Sequence, residues 1–338
     1  MTGVDDQIRK KFGATAIRTL GETRREHVDV IPTGSLQFDL ATDVGGIPCG
    51  RVTEIFGPEG SFKTSIALTA VAEAQKVGKR GLYIDIENAL EPNFVGRLGV
   101  DIDSLSLSQP DSAEEAISIV EMVARSNEYG IIVLDSVASL SPQAELEGET
   151  GEMKMGLSAR LMSQHMRKVK GIIHRNNIAV IYINQIRMKI GVVYGNPEVT
   201  TGGLALGFYA SLRVRMSRKA NIKKGDIITG ATFAAKVVKN KVGVPFRTAE
   251  FDFMFDTGIR RAVELVEIAA SQGVISKRGA FYSYGDQRLG QGKDAAATYL
   301  EENPEVSKVI EDQARKMIIG APATVTAEDD FDAVEDEE

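Results

Sequence analysis

Val52-Thr53-Glu54-Ile55-Phe56-Gly57-Pro58-Glu59-Gly60-Ser61-Phe62-Lys63-Thr64 is the stretch on which the reading of this chain turns. A short apolar run, Val52 to Phe56, reads as a buried strand. It stops at a Gly/Pro-rich turn, and Lys63-Thr64 opens a helix that continues through Ile66, Leu68 and Val71. This order of strand, glycine turn, Lys-Thr and helix describes a phosphate loop. Backbone N–H groups of the turn Gly57-Pro58-Glu59-Gly60-Ser61-Phe62, whose proline has none to give, and the helix N-terminus surround phosphates. Lys63 reaches the β and γ groups, and the Thr64 hydroxyl holds Mg²⁺. Phe62 departs from the pattern because it stands where the motif has its second glycine. If the backbone there needs a positive φ, a bulky side chain is costly. The plain alternative is a chance Gly/Pro turn before a helix.

Further along the chain, Leu82 to Ile86, Ile131 to Leu134 and Ile178 to Ile183 are apolar runs of the same kind. Helical stretches such as Thr64 to Val77 and Ala113 to Ala124 lie between them. The alternation predicts an α/β fold with a mostly parallel sheet, whose ligands sit beyond the carboxyl ends of the strands. Asp135 follows the third run and is placed to hold the Mg²⁺ shell through water. Glu87, just past the second, is placed as a general base for water, with Asp85 as its competitor. A helix cap is the bland reading of Asp135 and a solvated charge that of Glu87, but hits on successive strand ends are rarely accidental.

Ala210 to Arg215, Thr232 to Val238 and Glu250 to Phe255 extend the sheet. From Ala262 onward an amphipathic helix, a Phe281 to Leu289 hairpin turning near Gly285 and two short helices flanking Pro304 form a small α+β module. The 338 residues carry 40 Lys plus Arg against 47 Asp plus Glu, a net charge of −7 that taken whole argues against nucleic acid. Eight of those carboxylates fall between Ala321 and Glu338, with no Lys or Arg among them, in a tail best left without structure. Without that tail the body has 40 basic and 39 acidic residues. The segment 151–189 holds eight basic residues against the single carboxylate Glu152, the electrostatic footprint of a nucleic-acid site. A solvated helix face over Leu161, Val169 and Ile172 is the bland reading of that charge. One cysteine, Cys49, excludes an internal disulfide framework. The first 25 residues hold no continuous apolar stretch, so a cytoplasmic protein with no membrane contact is expected. His165 and His174 read as core or surface residues rather than metal ligands, and His27 carries no signal.

The chain resembles the RecA family of recombinases. The resemblance rests on Thr33-Gly34-Ser35-Leu36, Gly57 to Thr64, Tyr83-Ile84-Asp85-Ile86-Glu87-Asn88-Ala89-Leu90, Met155-Gly156-Leu157-Ser158-Ala159-Arg160, Ile183 to Gly191, Gly195-Asn196-Pro197-Glu198, Thr200 to Gly203 and Lys236 to Lys241. It implies a RecA-like P-loop NTPase core over residues 25–260. A short N-terminal helical arm for oligomerisation (1–24), a C-terminal α+β domain (261–320) and a disordered acidic tail (321–338) complete the organisation. The implied activity is DNA-dependent ATP hydrolysis to ADP and phosphate, coupled to pairing and strand exchange. The implied ligands are ATP and Mg²⁺. The implied partners are single-stranded DNA, homologous duplex and further copies of the chain in a helical filament, with repressor and loader proteins as further candidates.

Residue by residue, the resemblance assigns catalysis to Lys63 and Glu87, γ-phosphate sensing to Gln185, and contact with the neighbouring subunit's ATP to Lys239 and Lys241. Phe94 falls where an aromatic ring stacks on adenine, and Glu91 where a carboxylate touches the base. Two DNA loops are implied, one around Glu147 to Met155 and one from Ile186 to Thr201. The implied DNA contacts are Met155, Arg160, Ser163, Arg167, Arg187, Met188, Lys189, Ile190, Thr200, Gly202 and Gly203. Met155 and Ile190 would wedge into the stretched strand, and Gly202 and Gly203 would bring N–H groups close to phosphates. Three positions depart from the family pattern. Phe62 is a feature shared with phage-type relatives, which favours a phage or mobile-element source. Leu204 lacks a polar group for DNA, and Gly207 lacks the usual Lys near the subunit interface.

Overall fold

A computed structural model of the chain describes residues 3–14, 16–19, 28–148, 156–188 and 197–319. Two short strands, β1 (Val30–Ile31) and β2 (Ile47–Pro48), pair antiparallel ahead of the main sheet. That sheet is built from β3 (Arg51–Gly57), β4 (Arg80–Asp85), β5 (Ser106–Ser108), β6 (Tyr129–Asp135), β7 (Ala179–Met188), β8 (Glu198–Thr200), β9 (Leu212–Lys224), β10 (Ile227–Asn240), β11 (Thr248–Met254) and β12 (Gly258–Ile259). Its order is β12-β11-β10-β9-β3-β7-β6-β4-β5, with β8 on β7. The half from β9 to β5 is parallel, and the half from β9 to β12 is antiparallel.

The parallel strands are mostly apolar because both faces are covered. Ile131 and Val133 of β6 pack with Ile66, Ala70 and Val71 of the helix Lys63–Lys76 in one core cluster. Ile132 and Leu134 pack with Val120 of the helix Ala113–Ser126 and Val169 of the helix Leu157–Arg175 in the other. Alternate residues thus serve opposite layers, so a strand that must satisfy both reads as a continuous apolar run. His165 is a core residue. Its Nε2 is hydrogen-bonded to the Tyr182 hydroxyl at 2.7 Å and its Nδ1 faces Glu121 at 3.3 Å, while burial lowers its pKa.

Two strands are longer than their sequence signals. β9 and β10 run on as polar arms through Lys224 and Ile227, where cross-strand pairing continues after burial has ended. Segment Ile186 to Thr201, expected as a loop, begins and ends as a hairpin stem. β7 extends to Met188 and pairs with β8 through Ile186 and Thr200, Arg187 and Val199, and Met188 and Glu198.

The C-terminal elements are the helix Arg261–Ser271, the strands β13 (Ser276–Arg278), β14 (Phe281–Tyr284) and β15 (Gln287–Gln291), and the helices Lys293–Glu302 and Pro304–Ile318. Gly285 lies at the β14–β15 turn with φ 55°. The last helix is longer than expected and begins at Pro304 itself, because a proline at the first helical position gives up no intrahelical hydrogen bond. This module joins the core through buried charge. Glu264 accepts from the Ser35 hydroxyl at 3.0 Å and the Gln37 N–H at 3.1 Å, at the start of the helix Leu36–Ala41. Asp39 accepts twice from Thr33, and Arg261 and Arg315 lie 3.7 Å from its other oxygen.

Burial raises the pKa of Glu264 from 4.5 to about 7, against the opposing hydrogen bonds from Gln37 and Ser35. Burial likewise raises Asp39 from 3.8 to about 6, against Arg261 and Thr33. A folded-state pKa above the unfolded one means that the folded protein retains the proton while the unfolded chain has lost it. The stabilisation is therefore complete below the unfolded value and disappears as pH rises through the folded one. Thermal unfolding is expected to show Tm falling between about pH 4 and about pH 7, with Glu264→Gln flattening the upper part of the slope. An identical slope in the variant would remove Glu264 as its source.

Candidate nucleotide and nucleic-acid sites

The parallel strands end in register, which places their last residues side by side. Gly57 of β3 pairs with Gln185 of β7, and Asp85 of β4 with Asp135 of β6. Into this row projects the turn 57–62, leading to the helix Lys63–Lys76. Gly57 is required by close approach, since a Cβ there would lie 2.2 Å from the Met216 carbonyl oxygen. Ser61 and Lys63 close the turn on itself: the Ser61 hydroxyl donates to the Pro58 carbonyl at 2.6 Å, and Lys63 Nζ donates to the same oxygen at 2.6 Å. Burial lowers the Lys63 pKa, while Asp135, Glu87 and Glu59 act against that.

The Thr64 hydroxyl donates to Asp135 Oδ2 at 2.5 Å. Tyr83, fully buried on β4, donates its hydroxyl to the same oxygen at 2.7 Å. Both donors counter the rise in Asp135 pKa that burial imposes. The two carboxylates after β4 have different surroundings. Asp85 is enclosed and accepts from the Leu90 N–H and from Gln109 Nε2, both at 3.1 Å, so it holds the turn that follows β4. Glu87 is exposed and gathers the Ser136 hydroxyl at 2.7 Å, the Ser139 hydroxyl at 2.9 Å and Gln185 Nε2 at 3.2 Å on Oε1.

Phe62 adopts φ 74° and ψ 17°, the left-handed conformation that its glycine-like position demands. That geometry costs an L-residue about 1 to 2 kcal/mol. The ring compensates by packing against Phe233, Phe251 and Phe253.

Beside it lies a cavity of about 230 Å³ lined by Phe94, Arg97, Leu98, Phe253, Phe255, Asp256 and Gly258. Of these only Phe94 was signalled by the sequence. Arg97 and Leu98 follow it at the end of the same helix, whereas Phe253, Phe255, Asp256 and Gly258 come from β11, the turn after it and β12, nearly 160 positions further along the chain. Glu91 caps the helix Pro92–Arg97, accepting from the Asn93 N–H at 3.0 Å and the Phe94 N–H at 2.7 Å, and these bonds lower its pKa.

Arg160, Ser163 and Arg167 share one face of the helix Leu157–Arg175, with both arginines exposed. Arg187 and Met188 are exposed at the end of the β7–β8 stem, and Thr200 is half-buried on it. Met155, Lys189 and Ile190, and most of the segment Glu147 to Met155, lie outside the described residues, as does the acidic tail. At Gly202 a Cβ would lie 2.8 Å from Val137 Cγ1, and at Gly203 it would lie 2.7 Å from Ala159 Cβ. Both glycines have φ 78°, so the loop base requires them for its conformation and for its fit against the protein. Leu204 is exposed, and Gly207 packs against the Arg213 guanidinium.

Lys239 and Lys241 stand elsewhere. Lys239 Nζ donates to the carbonyls of Gly207 at 2.6 Å and Phe208 at 3.1 Å, and Lys241 Nζ to that of Phe208 at 3.2 Å. Burial, then Lys241 and Arg213, lower the Lys239 pKa to about 8.

A buried network absent from the sequence reading joins this region to the glycine loop. Glu54 accepts from Arg213 Nε at 2.6 Å and Asn184 Nδ2 at 2.9 Å, and Asn184 Oδ1 accepts from the Thr201 hydroxyl at 2.5 Å. No sequence signal marked Glu54, because a carboxylate inside an apolar strand declares itself only through its partners.

The RecA N-terminal domain family model matches residues 2–260, and the RecA C-terminal domain model matches residues 263–319. Among characterised proteins, Protein RecA of Pseudomonas putida is 48% identical over 321 residues, spanning 95% of this chain and 90% of that protein.

Proposed function

The chain belongs to the RecA family, and from that premise we propose how its own residues carry out recombination. It is a recombinase of DNA recombination and repair and a DNA-dependent ATPase, binding nucleotide and DNA and assembling into filaments. In our reading the nucleotide is ATP, held between adjacent subunits of a filament on single-stranded DNA in the cytoplasm. The filament pairs that strand with homologous duplex and exchanges strands. The observation that carries this reading is the meeting of Lys63, Thr64, Asp135, Glu87 and Gln185 at the ends of adjacent strands.

Mg²⁺ fits these residues. A hard cation takes oxygen ligands and keeps several waters. Thr64 and Asp135 supply a hydroxyl and a carboxylate in contact. Among the described residues no group of three or more His, Cys, Asp or Glu could hold a metal, so phosphate oxygens and water would complete the shell. When bound, Mg²⁺ would neutralise charge developing on the β and γ phosphates.

In the reaction, Lys63 exchanges the Pro58 carbonyl for phosphate oxygens. Phe94 and Glu91 sit at the base end, and Glu87 accepts the proton of the attacking water. Gln185 touches Glu87 and stands on β7 directly before the paired stem with β8, so occupancy of the γ-phosphate position and the hairpin bear on one side chain. Lys239 and Lys241 leave the Gly207 and Phe208 carbonyls to meet the neighbouring subunit's ATP. Arg160, Ser163, Arg167, Arg187, Met188, Thr200, Gly202 and Gly203 line the DNA path, together with Met155, Lys189 and Ile190.

Strand exchange assayed with homologous and non-homologous duplex tests the reading, with joint products expected only from the homologous substrate and only with ATP. Closed hexamers that unwind duplex would instead indicate a ring helicase. Single-strand binding without DNA-stimulated phosphate release would indicate a non-enzymatic binder.

A further inference from the structure

Phe62 touches both ends of the nucleotide site. Its backbone forms the last step of the phosphate turn, immediately before Lys63 and Thr64, in a conformation that leaves little room for adjustment. The residue is 9% exposed, and its ring lies 4.8 Å from that of Phe233 in a stacked pair and 4.5 Å from that of Phe253. Phe233 sits on β10 and Phe253 on β11, strands that pair with each other. Phe253 is also a wall of the 230 Å³ cavity, which Phe94 lines as well. One side chain therefore stands between the cavity and the turn. A glycine would give the turn its conformation without this link.

We propose that Phe62 is a positioning residue that makes phosphate binding depend on the state of the base cavity, so that base and triphosphate bind cooperatively. The inference rests on the nucleotide-site reading above. A purine ring entering the cavity bears on Phe253, and Phe253 bears on Phe62, whose ring cannot shift without turning the peptide that leads to Lys63. Close-packed aromatic rings pass displacement along because they have no free volume in which to absorb it. The same contacts act in reverse, as coupling between two binding events must.

Inorganic tripolyphosphate with Mg²⁺ provides the probe because it has phosphates and no base. Its binding to the full chain is measured by calorimetry. Lys63→Ala should abolish it; persistence of binding in that variant would overturn the site assignment itself, and with it this inference. Phe253→Leu, which alters the cavity wall and its contact with Phe62 but no group of the phosphate turn, should weaken tripolyphosphate binding by about fivefold. In a Phe62→Gly background the same substitution should have no effect on it. A ring that merely stabilises the fold would lower Tm and leave the tripolyphosphate Kd of folded protein unchanged. An unchanged Kd for Phe253→Leu, or an equal change in both backgrounds, overturns the proposal. Phe253→Met serves as the second variant if Phe253→Leu does not fold.

Discussion

Lys63→Ala is expected to abolish ATP-dependent filament formation and to bring DNA-stimulated phosphate release to background. The side chain is buried with its ammonium turned back over the loop on the Pro58 carbonyl, and no other cation is provided by the turn 57–64. Removing a charged donor from a phosphate costs about 1.5 to 3 kcal/mol in binding alone, a loss of about ten- to a hundredfold. The larger loss falls on turnover, because charge that grows on the γ-phosphate in the transition state loses its fixed counter-charge. Lys63→Arg should not rescue, since a planar guanidinium does not fit a pocket shaped for one Nζ between Pro58 and Ser61. Phosphate release together with electron microscopy of filaments decides the matter. Strand exchange at the wild-type rate in Lys63→Ala would remove the loop from the mechanism.

Glu87→Gln should separate binding from chemistry. The amide retains the size of the side chain and its hydrogen bonds to Ser136 and Ser139 but cannot take a proton, so turnover should fall by about 10² to 10⁴ with nucleotide affinity nearly unchanged. Filaments should then persist with ATP rather than disassemble. Asp85→Asn provides the contrast. Its carboxylate accepts from Leu90 and Gln109, so the variant should lower thermal stability and leave single-turnover hydrolysis within a fewfold of wild type. Loss of turnover in Asp85→Asn with retention in Glu87→Gln would reverse the two roles.

The legible part of the site consists of residues that sit beside one another along the chain or at the same end of successive strands. Lys63 and Thr64 are adjacent, and Asp135 and Glu87 each follow an apolar run. Alternation along β4 could not rank Asp85 against Glu87, because both are compatible with the strand end. The ranking came from Gln109, Ser136 and Gln185, whose side chains reach one carboxylate or the other. Tyr83 illustrates the limit further. In sequence it is one more apolar strand residue, and only the register of β4 with β6 gives its hydroxyl a place on Asp135. The β7–β8 hairpin was read as a loop because its glycines and polar residues disguise a two-stranded stem, which the Arg215 and Glu198 ion pair ties to β9.

Local chemistry alone marked the turn after Phe56 as a phosphate loop, the sheet as mostly parallel and covered by helices, and Phe62 as costly if its backbone takes a positive φ. Each follows from backbone sterics or from apolar periodicity, which a chain expresses over a few residues. How a phenylalanine is tolerated there was decided only by tertiary structure, because the rings that accommodate it lie on β10 and β11, about 170 to 190 positions away. The same holds for Glu54, whose charge becomes acceptable when β9 brings Arg213 and β7 brings Asn184 against it. Burial of a strained or charged group depends on partners that meet only once the sheet has closed its order.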